Sequence, residues 1–113
     1  MAGFVLRKNQ RFKDSVPVQF RGKGIVGEGM LKDLSLTGAS ISGDVHVTVG
    51  MTLGLQMFVP GDREPLLIDR TVVQWVKGME FGVELSPSPQ IAERITKLIS
   101  EKVKRKHGSP SRN

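Results

Sequence analysis

From Val16 to Leu85 the chain alternates short apolar runs with glycine-bearing breaks, and that rhythm commits it to antiparallel strands joined by hairpins. The runs are Val16–Phe20, Ile25–Leu36, Ala39–Val49, Leu53–Val59, Leu66–Val76 and Met79–Leu85. Between them lie Gly22-Lys23-Gly24, Leu36-Thr37-Gly38, Gly50, Pro60-Gly61-Asp62 and Lys77-Gly78. Pro60-Gly61 predicts a type II turn, with proline fixing φ and glycine taking φ > 0. Lys77-Gly78 predicts a tight hairpin.

After Leu85 the apolar period becomes helical. Ser86-Pro87-Ser88-Pro89 offers a serine N-cap followed by a first-turn proline. Ile91, Ile95, Leu98, Ile99 and Val103 then form one stripe. Lys102, Lys104, Arg105 and Lys106 suit the negative end of a helix dipole, and Gly108 a helix stop. The predicted class is all-β with a C-terminal helix, organised as a six-stranded antiparallel β-barrel. Residues 1–14 are predicted as a flexible N-terminal arm, 15–106 as barrel plus helix, and 107–113 as a disordered tail.

The length of 113 residues fits one domain. No stretch approaches the ~18 apolar residues of a membrane span. Met1–Leu6 is too short for a secretory core and runs into Arg7 and Lys8. A cytoplasmic protein that is not membrane-embedded is expected. There is no cysteine, which excludes disulfides, thiolate nucleophiles and cysteine zinc sites. The net charge of +6 suggests an anionic partner, yet the excess sits at the two ends. Residues 14–102 carry nine basic and eleven acidic side chains, so no basic face runs along the body.

Enzyme signals are weak. Gly22-Lys23-Gly24-Ile25-Val26-Gly27 matches the dinucleotide pattern G-x-G-x-x-G, but strand residues follow it where phosphate binding needs a helix N-terminus. It is read as a hairpin turn. The two histidines, His46 and His107, have no metal or triad spacing; His46 is read as a solvent-facing strand residue. A non-enzyme with no catalytic residues, no metal and no cofactor is expected.

Two motifs have complementary chemistry. Arg7-Lys8-Asn9-Gln10-Arg11 places two arginines four apart, ahead of the first strand. Asp33-Leu34-Ser35-Leu36-Thr37-Gly38 places an acid, a hydroxyl and a glycine at a strand-to-turn junction. An arginine fork matches phosphate oxygens or the O6/N7 edge of guanine and can stack on a purine. The other guanine edge carries N–H donors that need acceptors such as Asp33 or Ser35. Gly38 allows a sharp turn and close backbone approach. In an extended arm, residues four apart lie roughly 13 Å from each other. That span suits a ligand with several guanines and phosphates.

The pair R-x-x-x-R and D-x-S-x-x-G, in that order, resembles the PilZ domain family. Val73-Gln74-Trp75 and Phe81-Gly82-Val83-Glu84-Leu85 are similar to that family's closing hairpin, and a C-terminal helix follows. The resemblance implies a six-stranded barrel binding the bacterial second messenger cyclic di-GMP on its outer surface. It implies that Arg7 and Arg11 bind phosphates and guanine edges, and that Asp33, Ser35 and Gly38 surround one guanine. Where an arginine before the first motif arginine favours two stacked ligands, this chain has Leu6, which points to one. Trp75 is read first as barrel packing and second as a border to the bound base. The resulting expectation is a cyclic di-GMP receptor whose arm orders on binding and signals in trans to an unidentified protein effector. The alternatives are a PilZ-like adaptor that binds only protein, and a small-barrel nucleic-acid binder. The acidic body and the lack of tyrosine make nucleic acid the weaker partner.

Overall fold

The computed structural model describes residues 16–108, with side chains through residue 100. The expected arm at 1–14, with Leu6, Arg7 and Arg11, lies outside the described residues, as do 109–113 of the expected tail.

Six strands close into one antiparallel barrel: β1 (Val16–Gly22), β2 (Ile25–Leu34), β3 (Gly38–Gly43), β4 (Thr52–Met57), β5 (Leu66–Lys77) and β6 (Glu80–Leu85). The ring order is β1-β2-β3-β6-β5-β4, with β4 returning to β1. Two three-strand meanders, β1-β2-β3 and β4-β5-β6, are thus sewn together along β3–β6 and β1–β4. Closure removes the unpaired edges that an open sheet would expose.

The core follows from strand alternation. Val16, Val18 and Phe20 of β1 point inward, as do Leu53, Leu55 and Met57 of β4. Phe20 and Phe81 meet edge to face with ring centroids 5.1 Å apart. A β-carbon at Gly27 or Gly43 would run into Phe20, so these glycines make room for the pair.

Turn chemistry agrees with the sequence. Gly24 and Gly78 take φ of 79° and 63° in the β1–β2 and β5–β6 hairpins. The dinucleotide-like glycines are therefore a hairpin. At Val59–Asp62 the Asp62 amide donates to the Val59 carbonyl at 3.0 Å, with Gly61 at φ 90°, as a type II turn requires.

The third apolar run departs from expectation. β3 stops at Gly43 rather than continuing to Val49. Asp44 ends it by turning its carboxylate back to accept the Glu28 amide at 2.9 Å. His46 consequently lies in the β3–β4 connection, not on a strand, though it is exposed as expected. Val47 in that connection is buried, and the Gly50 amide donates to the Val73 carbonyl at 2.8 Å.

Helix α1 (Pro89–Gly108) starts where the cap predicts: the Ile91 amide donates to Ser88 Oγ at 3.3 Å, with Pro89 as first helical residue. It ends at Gly108, the stop read from sequence, so residues 107 and 108 of the expected tail belong to the helix. Ile95 and Ile99 are fully buried against the barrel, with Ile91 and Leu98 partly so. Arg94 fastens the helix to the β4–β5 connection, donating to the carbonyls of Glu64 (3.3 Å) and Pro65 (3.4 Å). No helix among the described residues is long and apolar enough to cross a membrane.

Because Ile95 is fully enclosed, Ile95→Ala should cost about 2–5 kcal/mol in urea unfolding, through lost burial and the cavity left behind. Ser88→Ala, which removes only the cap, should cost about 1 kcal/mol.

Candidate ligand-binding site

Strict alternation would turn Asp33 inward with Leu31, and Trp75 inward with Val73. Neither points inward. The β2–β3 register shifts between Leu31 and Asp33, and the β5–β6 register shifts between Val73 and Trp75. Each bulge inserts one extra residue, so the side chain after it is re-aimed to the outer face. Leu34 then takes the inward place on β2, and Trp75 is left 43% exposed.

The two re-aimed residues lie at opposite ends of one rung. Asp33 pairs with Ser40, Ser40 with Gly82, and Gly82 with Trp75. Four strands at about 4.8 Å separate the end backbones by roughly 14 Å. Between the large ends stand a serine and a glycine, so the surface dips. A cavity of about 430 Å³ occupies the dip, and Asp33, Gly38, Ser40, Gln74, Trp75 and Glu84 line it. The indole lies across Gly82, where a β-carbon would collide with it. A glycine in mid-strand here marks close approach of a side chain to backbone.

The Asp33–Gly38 segment forms a tight loop around Ser35. The Ser35 amide donates to the Gly38 carbonyl at 2.8 Å. Ser35 Oγ accepts the amides of Thr37 (3.3 Å) and Gly38 (3.2 Å), and its hydroxyl lies 3.3 Å from the Gly38 carbonyl. Ser35 is 0% exposed and does not line the cavity. Its chemistry goes into shaping the loop that carries Asp33 and Gly38. Gly38 makes its turn without positive φ; the feature that needs glycine is the Val83 carbonyl, 3.1 Å from where a β-carbon would sit.

Of the residues singled out from sequence, the structure brings Asp33, Gly38 and Trp75 to one cavity and sets Ser35 behind it. Leu6, Arg7 and Arg11 lie outside the described residues. Reading Trp75 as barrel packing is corrected: the bulge after Val73 puts it on the outer surface. Sequence reasoning did not place Ser40, Gln74, Gly82 or Glu84 in the site; the last three entered only as part of the closing hairpin. The signal for Gly82 was present as a lone glycine within Phe81–Leu85. Gln74 donates to Glu84 at 3.4 Å, so an amide and a carboxylate stand together on the cavity wall.

The wall is rich in acceptors. Among the described residues that line it, none is basic. It can receive N–H donors along Asp33 and Glu84 and a flat ring beside the indole, but it supplies no counter-charge to an anion.

The search of curated proteins found no match. Solved structures do match. The PilZ domain of CeSA from a cellulose-synthesizing bacterium has a TM-score of 0.64 at 14% identity, covering 82% of this chain and 97% of that one. The Bacillus subtilis inhibitor of motility MotI/DgrA has a TM-score of 0.68 at 16% identity, covering 91% of this chain. This chain spans about half of that protein, 54% of its length. At such identities the likeness establishes the barrel-plus-helix fold. The PilZ domain family model matches residues 6–101, nearly the whole chain, and with the fold it settles membership: this protein belongs to the PilZ domain family.

Proposed function

We propose that this protein is a receptor for cyclic di-GMP that works by binding and signalling rather than by catalysis. The observation that carries this reading is the cavity whose opposite ends are Asp33 and Trp75, where the described lining residues supply acceptors and no cation. One guanine fits the chemistry: its Watson–Crick edge donates to the carboxylate end and its face stacks at the indole end. The phosphates then require cations from elsewhere, and Arg7 and Arg11 supply them.

The register supports that supply. β1 begins at Val16 opposite Leu31, two residues from Asp33. The start of β1 therefore lies beside the Asp33 end of the cavity. Arg11, five residues upstream, has a reach of roughly 17 Å, and Arg7 of roughly 30 Å. Both distances span the cavity. In this reading the arm closes over the ligand, and the arm with its ligand forms the surface a protein effector recognises. Leu6 in place of a further arginine favours one ligand per chain. Ser35 positions the loop rather than touching the base.

Calorimetry with cyclic di-GMP tests the receptor reading. Binding near one ligand per chain is expected, and Arg7→Ala or Arg11→Ala should each weaken it by about 1–3 kcal/mol, roughly five- to 150-fold. Absence of heat at high micromolar ligand sinks the proposal. Trp75→Ala should lose about 1–3 kcal/mol of affinity with an unchanged melting temperature, since the side chain is outside the core. Ser35→Ala should behave differently, lowering the melting temperature as well as affinity, because it removes a buried hydroxyl that three backbone groups use.

A further inference from the structure

A second groove of about 520 Å³ lies across the ring from the first, over β1, β4 and β5. It is built by the same device. On one rung Arg21 of β1 stands opposite Gly54 of β4, and beyond Gly54 the β4–β5 register shifts, turning both Asp69 and Arg70 outward. Gly54 leaves a floor without a side chain between the two arginines, whose backbones are roughly 10 Å apart. On the neighbouring rung Gln19 pairs with Gln56, and Gln56 with Leu67.

This face is unlike an ordinary solvated surface. Leu67 is 50% exposed, and Val26 beside Arg21 is 67% exposed. Past Gln19 the patch continues onto Pro17, Met30 and Phe58, which line an adjoining apolar groove. Among the described residues, no lysine lines either groove. Arginine, methionine and aromatic side chains with lysine depleted is the composition of a protein-binding surface. Among the described residues, neither the Arg21 nor the Arg70 guanidinium has a hydrogen-bond or ion-pair partner, although Asp69 precedes Arg70 on β5 and lines the same groove. Two cations so placed call for carboxylates, and the exposed Leu67 and Val26 call for apolar side chains. A free anion would use the first and leave the second in water.

We infer that the β1–β4–β5 face is a docking surface for a partner protein, which presents an acidic segment with apolar anchors to Arg21, Arg70 and Leu67. The face stands apart from Asp33 and Trp75, so the inference holds whether or not that cavity binds the nucleotide. β5 joins the two regions: its first half carries Leu67 and Arg70, its second half Trp75.

The test needs no nucleotide. A short fluorescein-labelled peptide of alternating glutamate and leucine is titrated by anisotropy, beside a lysine–leucine counterpart and an oligothymidylate. The acidic peptide is expected to bind, the lysine peptide not to, and the Arg21→Glu, Arg70→Glu double variant to bind the acidic peptide at least about tenfold more weakly. Leu67→Asp, a change at an exposed position, should weaken it with an unaltered melting curve. Equal affinity of the double variant, or tighter binding of the oligothymidylate than of the acidic peptide, overturns the inference. Self-association in sedimentation that Leu67→Asp abolishes also overturns it, since the occupant would be a second copy.

Discussion

In a closed barrel every strand has two neighbours, and each residue must face either the packed interior or solvent with a period of two. Side chains can leave that alternation only where a residue is inserted and the ladder slips. This chain slips three times: after Leu31, after Leu53 and after Val73. Each slip lies beside a groove. The first and third place Asp33 and Trp75 at the two ends of one rung, and the second puts Asp69 and Arg70 beside Gly54. The surface chemistry of the protein depends on these departures as much as on the residues themselves.

The core permits them because it is closed from several sides. Both meanders contribute inward residues, Phe20 and Phe81 join them, and Ile95 and Ile99 of α1 complete the packing. Small residues do complementary work on the outside. Ser40 and Gly82 hollow the cavity between Asp33 and Trp75, and Gly54 hollows the groove between Arg21 and Arg70. Large residues aimed by bulges and small residues left between them make concavities on a convex surface.

Much of the fold was legible because its signals are local. Glycine breaks located the hairpins, Pro60-Gly61 its type II turn, and Ser86-Pro87-Ser88-Pro89 the helix start, with the structure selecting Ser88 and Pro89 from that run. The third run was overextended because Val45, Val47 and Val49 alternate like a strand, while the side-chain hydrogen bond of Asp44 that ends β3 reaches across to Glu28. The site was legible in part. Asp33 and Gly38 stood out as a motif, but Ser35 belonged to it for its buried hydroxyl, a role that depends on three-dimensional closure of the loop. Trp75 was misplaced for a sharper reason: its spacing from Val73 says inward, and a bulge leaves no periodic trace in sequence. Ser40 and Glu84 are ordinary strand residues until pairing sets them beside Asp33 and Gly38.

The central claim is that bulged, re-aimed Asp33 and Trp75 frame one guanine of cyclic di-GMP. Trp75 is the only tryptophan in the chain, so its indole N–H gives a single, assignable proton–nitrogen NMR signal. Titrating cyclic di-GMP into nitrogen-labelled protein should shift that signal together with the amides of Asp33, Gly38 and Gly82, all saturating at one ligand per chain, while Gly54 and Leu67 stay in place. An indole signal that does not move at saturation, or shifts centred on Gly54 and Leu67, would contradict the account.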